Sequence, residues 1–104
     1  MQFYKYQGTG NDFILLDNRK NLYTDLTEQQ IKKMCDRHFG IGADGLIMLE
    51  LEIGYDFKMT YFNNDGKQSS MCGNGGRCIV AFAKLLGIIE NNNCNIIINR
   101  TFFN

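Results

Sequence analysis

The sequence predicts one α+β domain, and three observations carry that reading. Strand-like runs and helical patterns alternate in the order β, β, α, β, β, α, β. A chain of 104 residues suits one domain with one modest core. Eleven glycines and no proline leave glycine alone to make the special turns.

The elements follow in order. Met1 to Tyr6 is rich in aromatics and alternates loosely, and Phe13 to Leu16 is a compact apolar run, so the two read as strands flanking a turn at Gly8 to Asn11. Thr27-Glu28-Gln29-Gln30 has the form of a capping box. Ile31, Met34, Cys35 and His38 follow at i, i+3, i+4 and i+7, which predicts an amphipathic helix that Gly40 stops. On that helix Cys35 and His38 share the apolar side and are expected to be a core thiol and a hydrogen-bonded histidine.

Leu46 to Leu51 and Phe57 to Phe62, separated by a loop containing Gly54, predict a second antiparallel hairpin. Asn63-Asn64-Asp65-Gly66 is a strong turn signal. The near-helical spacing of Ile79, Val80, Phe82, Ala83, Leu85 and Leu86 predicts a second helix, with Gly87 at its C-cap. Asn91 to Asn93 form a polar turn, and Asn95 to Asn99 a short strand candidate. Residues 1–90 are expected to form the domain, and 91–104 a divergent or truncated tail.

Eleven basic and eleven acidic side chains cancel, with no basic run, which argues against nucleic acid or an anionic membrane as the partner and favours a small, nearly neutral ligand. No apolar run is long enough to cross a bilayer, and the N-terminus lacks a secretory pattern, so a cytoplasmic location is expected. Four cysteines in a reducing compartment are expected as thiols rather than disulfides.

Most of the glycines fall in three clusters, Gly8/Gly10, Gly40/Gly42/Gly45 and Gly73/Gly75/Gly76, which suggests loops shaped around a ligand. Gly40 to Gly45 matches G-x-G-x-x-G literally, but a helix precedes it and a strand follows, the reverse of a dinucleotide-binding turn. Cys35, His38, Cys72 and Cys78 lack the paired spacings of a zinc site, and Cys94 has no evident partner. No metal or cofactor is therefore expected.

Met71-Cys-Gly-Asn-Gly-Gly-Arg-Cys78 sets a thiol in a glycine-rich turn just ahead of the second helix. A helix N-terminus stabilises an anion by up to about 2 kcal/mol, which would move a thiol from about 8.5 toward about 7, a range suited to acid–base work. Cys72 is the candidate for that role; Cys78, inside the helix among apolar residues, is expected to be buried and inert. The backbone N–H groups of Gly73 and Asn74 are free of helical partners and could receive a carboxylate. The plain alternative is a tight structural turn with a small buried cysteine.

Met1 to Asp12 (MQFYKYQGTGND), Asp36 to Gly45 (DRHFGIGADG) and Phe62 to Cys78 (FNNDGKQSSMCGNGGRC) resemble the diaminopimelate epimerase family, in register from residue 1 to about 90. The resemblance implies one half of a two-domain fold, with an antiparallel or mixed sheet wrapped around a central helix. It also implies cofactor-independent inversion of LL-diaminopimelate to the meso form, for lysine and peptidoglycan, by two cysteine thiols on opposite faces of the α-carbon. Cys72 matches the first of those cysteines. Asn11, Asn63, Gly73 and Asn74 match positions that hold the substrate, and carboxamides suit a zwitterion because they both donate and accept.

Position 45 departs from a family pattern in which a glutamine also touches the substrate; Gly45 can offer only backbone. The second cysteine turn is missing, which implies a truncated reading frame, a frameshift or an isolated domain that needs its C-terminal half or self-association. Competing expectations are a non-catalytic remnant or ligand-binding half-domain, and another amino-acid racemase of the same fold.

Overall fold

A computed structural model describes residues 1–8, 10–69, 73–90 and 96–98, with backbone alone at 73, 74 and 96–98. The first expected hairpin forms: β1 (Tyr4–Gln7) pairs antiparallel with β2 (Asp12–Asp17), closed by the Gly8 N–H donating to the Asn11 carbonyl at 2.8 Å. Helix α1 spans Glu28–Cys35, and β3 (Gly45–Glu50) and β4 (Phe57–Asn63) make the second hairpin. Helix α2 spans Gly73–Leu85, and β6 (Ile96–Ile98) runs parallel to the start of β4.

Two features go beyond the sequence reading. The Asn63 to Gly66 turn leads into a short strand, β5 (Gln68–Ser69), that folds back antiparallel on β4. In addition, β2 and β3 pair in parallel, Phe13 opposite Gly45 and Leu16 opposite Met48, with α1 in the connection. The sheet order is β1-β2-β3-β4-β5, with β6 also on β4.

Alternation along the central strands supplies both faces of the sheet with apolar groups, as expected of strands covered on both sides. On one face Phe13, Leu15, Ile47, Leu49 and Met59 pack against Ile79 and Phe82 of α2. On the other, Ile14, Leu16, Leu46 and Met48 pack with Ile31 and Cys35 of α1. The Phe82 ring lies 4.9 Å from that of Tyr4 and 5.9 Å from that of Tyr6. Fully burying such side chains is worth about 1.5–3 kcal/mol each.

The capping box is present as expected: the Gln30 N–H donates to Thr27 Oγ1 at 3.1 Å, and the Thr27 N–H donates to Gln30 Oε1 at 2.9 Å. The stop of α1 differs from expectation. The helix ends at Cys35, before Gly40, because Asp36 is extended and its carboxylate accepts the N–H groups of His38 and Phe39 at 2.8 and 3.0 Å. His38 therefore leaves the helix and is exposed, which corrects the expectation of a histidine on the apolar side; Cys35 is buried as expected.

Gly40 acts by close approach, since a Cβ there would stand 1.9 Å from the Lys33 carbonyl oxygen. The end of α2 follows the sequence: Ile88 N–H donates to the Ala83 carbonyl and Gly87 N–H to that of Lys84, both at 3.0 Å, with Gly87 at φ +78.

Candidate active site

The topology brings the three glycine clusters to one end of the sheet. Because β2 and β3 are parallel, both begin there, after the Gly8–Asn11 turn and the Gly40–Asp44 loop respectively. β4 ends there, with Asn63 opposite Gly45. Helix α2 starts there as well, since Arg77 and Cys78 line a groove with Gln7 and Gly8 while Phe82, further along, reaches Tyr4. That groove, of about 430 Å³, also takes in Tyr6 and Ala81. A larger cavity of about 510 Å³, lined by Gln2, Asp17, Arg19 and Leu51 among others, holds none of the candidate residues.

The sequence candidates distribute as follows. Asn11 sits half-buried just before β2, its Nδ2 donating to Asp44 Oδ2 at 3.2 Å. Asn63 closes β4, its N–H donating to the Lys67 carbonyl and its own carbonyl accepting from Gly66, both at 2.9 Å. Gly73 and Asn74 are the first residues of α2, in the turn whose N–H groups have no helical acceptors. That first turn contains no acidic side chain. Cys72 lies outside the described residues.

A group that sequence reasoning missed ties this end together. Asp12 and Asp44 clasp each other's backbone: the Asp12 N–H donates to Asp44 Oδ2 and the Asp44 N–H to Asp12 Oδ1, each at 3.1 Å. Arg37 bridges the pair, reaching Asp12 Oδ1 at 2.8 Å and Asp44 Oδ1 at 3.2 Å. Lys5 adds an ion pair to Asp12 at 3.1 Å and donates to the Gly42 carbonyl.

Two carboxylates this close repel unless neutralised, and Arg37 and Lys5 supply the countercharge. The hydrogen bonds from Arg37, supported by Lys5, hold the Asp12 carboxyl well below the usual carboxylate range. The clasp joins the turn that carries Asn11 to the loop that leads to Gly45. Its one sequence signal is that Asp12 follows the first glycine turn and Asp44 sits inside the second.

The described cysteines are poor candidates for proton transfer. Burial, with a smaller contribution from the nearby Asp12 charge, pushes the Cys35 thiol up to about 11, so it stays protonated at neutral pH. Cys78 is buried within α2, as the helical pattern implied. Burial also raises the Tyr6 phenol, with smaller contributions from Tyr4 and Cys78.

The overall fold is a known one. The chain shares it with a phenazine biosynthesis protein of the PhzF family from Bacillus anthracis, at TM-score 0.63 and 20% identity, over 93% of this chain and 33% of that one. The fold is therefore that of about a third of this PhzF-family protein. The family model for diaminopimelate epimerase matches residues 3–99, and the chain belongs to that family.

Among curated relatives, the diaminopimelate epimerase of Flavobacterium psychrophilum is 64% identical over 91 residues, covering 88% of this chain and 36% of the relative. That of Chlorobaculum tepidum is 58% identical over 81 residues, covering 78% and 31%. The chain thus spans about a third of the length of the curated relatives it matches. Among the described residues, no helix is long and apolar enough to cross a membrane.

Proposed function

We propose that this chain supplies the N-terminal half of a diaminopimelate epimerase site, converting LL-diaminopimelate to the meso form in the cytoplasm for lysine and peptidoglycan synthesis. The observation that carries the reading is the 64% identity to an epimerase over nearly the whole chain, in which the sequence's glycine clusters meet at one sheet end. Residues 1–90 are the domain on this reading, and Cys72 is one of its two proton-transferring thiols.

The chemistry asks three things of the protein. A thiolate must stand against the α-hydrogen; the first turn of α2, free of acidic side chains, favours an anion at or just before Gly73. The substrate must be held by groups that both donate and accept, which Asn11 and Asn63 provide beside the N–H groups of Gly73 and Asn74. A second thiol on the opposite face must return a proton to the carbanion, and neither Cys35 nor Cys78 suits that role, because both are buried in packed helices. The second thiol comes, on this reading, from a C-terminal half or a partner copy.

Residues 1–104 alone are accordingly expected to show negligible epimerisation, since losing one of two cooperating groups removes most of their joint effect. Mixing the chain with the remaining two thirds of the Flavobacterium psychrophilum epimerase is expected to restore conversion and exchange of the α-hydrogen in heavy water. Cys72→Ala is expected to abolish it. Full activity of residues 1–104 alone, or restored activity that survives Cys72→Ala, would overturn the proposal.

A further inference from the structure

We infer that Asp44 is a positioning residue of this site: its carboxylate, steadied by Arg37, fixes which way round the Asn11 carboxamide is held. The inference rests on the reading of Asn11 as a substrate-holding residue and adds the group that orients it.

A carboxamide has two orientations of nearly the same shape, related by a half turn, that exchange its donor and its acceptor. Nothing in Asn11 itself selects one. Asp44 does, because a carboxylate paired with an arginine only accepts hydrogen bonds, so the NH2 end must face it. The bond runs that way, Asn11 Nδ2 donating to Asp44 Oδ2 at 3.2 Å. With the amide turned over, two acceptor oxygens would meet and neither would carry a proton to share.

The Asp44 carboxylate is itself held from both oxygens. Oδ2 also takes the Asp12 N–H at 3.1 Å, and Oδ1 takes Arg37 Nη2 at 3.2 Å. Arg37 is fixed in turn by its planar fork, Nη1 and Nη2 reaching the two Asp12 oxygens at 3.1 and 2.8 Å. The loop that carries Asp44 is tied to the end of α1: the Ile41 and Gly42 N–H groups donate to the Met34 carbonyl at 2.9 and 3.0 Å, and the Ala43 N–H to that of Cys35 at 3.0 Å.

The Asn11 bond is surplus to joining the two segments. Asp44 Oδ2 already holds the N–H of the next residue, Asp12, and the Asp44 N–H returns the bond, so a purely structural clasp is complete without Nδ2. What the Nδ2 bond adds is an ordered carboxamide. A ligand then meets Asn11 in one orientation and does not bear the cost of selecting it.

The test is a double-substitution cycle on the 104-residue chain, with affinity for LL-diaminopimelate read by NMR from the Asn63 side-chain amide and stability read as a thermal midpoint. Asp44→Asn is nearly isosteric but has an NH2 to offer as well, so it releases the orientation of Asn11. It is expected to shift the Asn11 amide signals of the ligand-free chain and to weaken binding about three- to tenfold, the scale of ordering one side chain. In an Asn11→Ala background it is expected to cost no further affinity. Arg37→Lys, which keeps the countercharge without the fork, is the milder variant, with a smaller loss that also vanishes in the Asn11→Ala background. Gly54→Ala, in the loop at the far end of the β3–β4 hairpin, controls for stability alone and is expected to lower the midpoint with unchanged affinity.

An equal loss for Asp44→Asn with and without the Asn11 side chain, or parental affinity of Asp44→Asn, would overturn the role of Asp44 and leave the site standing. A parent chain whose Asn11 and Asn63 amides do not respond to LL-diaminopimelate would overturn the reading of the site as well.

Discussion

Replacing Gly66 by alanine tests how firmly the candidate site is braced. Gly66 ends the turn after Asn63 at φ +88, and a Cβ there would lie 2.0 Å from the carbonyl oxygen of Glu28, the first residue of α1. Relief to ordinary contact at 3.4 Å requires the turn and the helix start to part by about 1.4 Å, and neither obstacle is a flexible side chain. Gly54 offers a matched control, because its φ is +89 and nothing stands within 4 Å of its added Cβ.

The left-handed backbone costs an alanine roughly 1–2 kcal/mol at either place. Forcing packed backbone apart adds roughly 1–3 kcal/mol at Gly66 alone. Urea unfolding followed by circular dichroism should therefore give losses of about 1–2 kcal/mol for Gly54→Ala and about 2–5 kcal/mol for Gly66→Ala. Equal losses for the two variants would refute the claim that α1 and the Asn63 turn are in direct backbone contact.

Thr27→Ala removes the hydroxyl that accepts the Gln30 N–H and should lower stability by about 1 kcal/mol; an unchanged urea midpoint would mean the cap is idle. The Cys35 thiol titrates from 9.0 in an open chain to about 11 when folded, so the folded chain holds its proton more tightly. The stability it contributes is complete below pH 9 and is lost as pH rises through about 11, a fall of roughly 1–3 kcal/mol that Cys35→Ala should flatten. A parent and variant with the same slope above pH 9 would contradict it.

Much of the secondary structure is legible because its signals are local. The capping box at Thr27, the spacing of apolar residues from Ile79 to Leu86, and the glycine past the end of α2 each act within a few residues of the structure they specify. His38 was misplaced for an equally local reason: the apolar pattern continues to i+7, but the Asp36 carboxylate takes the next N–H groups and ends the helix first. The parallel pairing of β2 with β3 could not be read from either run, since hydrophobic periodicity identifies a strand without naming its neighbour.

The site shows the same division. Asn11, Asn63, Gly73 and Asn74 are candidates through resemblance alone, and the glycine clusters are legible through composition. The Asp12–Arg37–Asp44 clasp depends on residues brought together by the parallel pairing, and the overlay of Tyr61 on Gly45 on the register of the second hairpin, so no local pattern announces either. Tyr61 reads along the chain as one more aromatic of a buried strand, and only the β3–β4 register sets its ring across the bare backbone of Gly45.

The parallel β2–β3 pairing also sets an order of assembly. The two hairpins close over short turns, whereas Asp12 and Asp44 stand 32 positions apart, and each doubling of a loop costs about 0.6 kcal/mol of closure entropy. Joining the hairpins is then the slow step in folding, and Ile47→Val at the seam should slow refolding more than it speeds unfolding. Until that seam closes, Asn11 and Asn63 belong to separate hairpins, and the candidate site is not assembled. The end of the sheet that carries the candidate site is, on this account, among the last parts of the chain to exist.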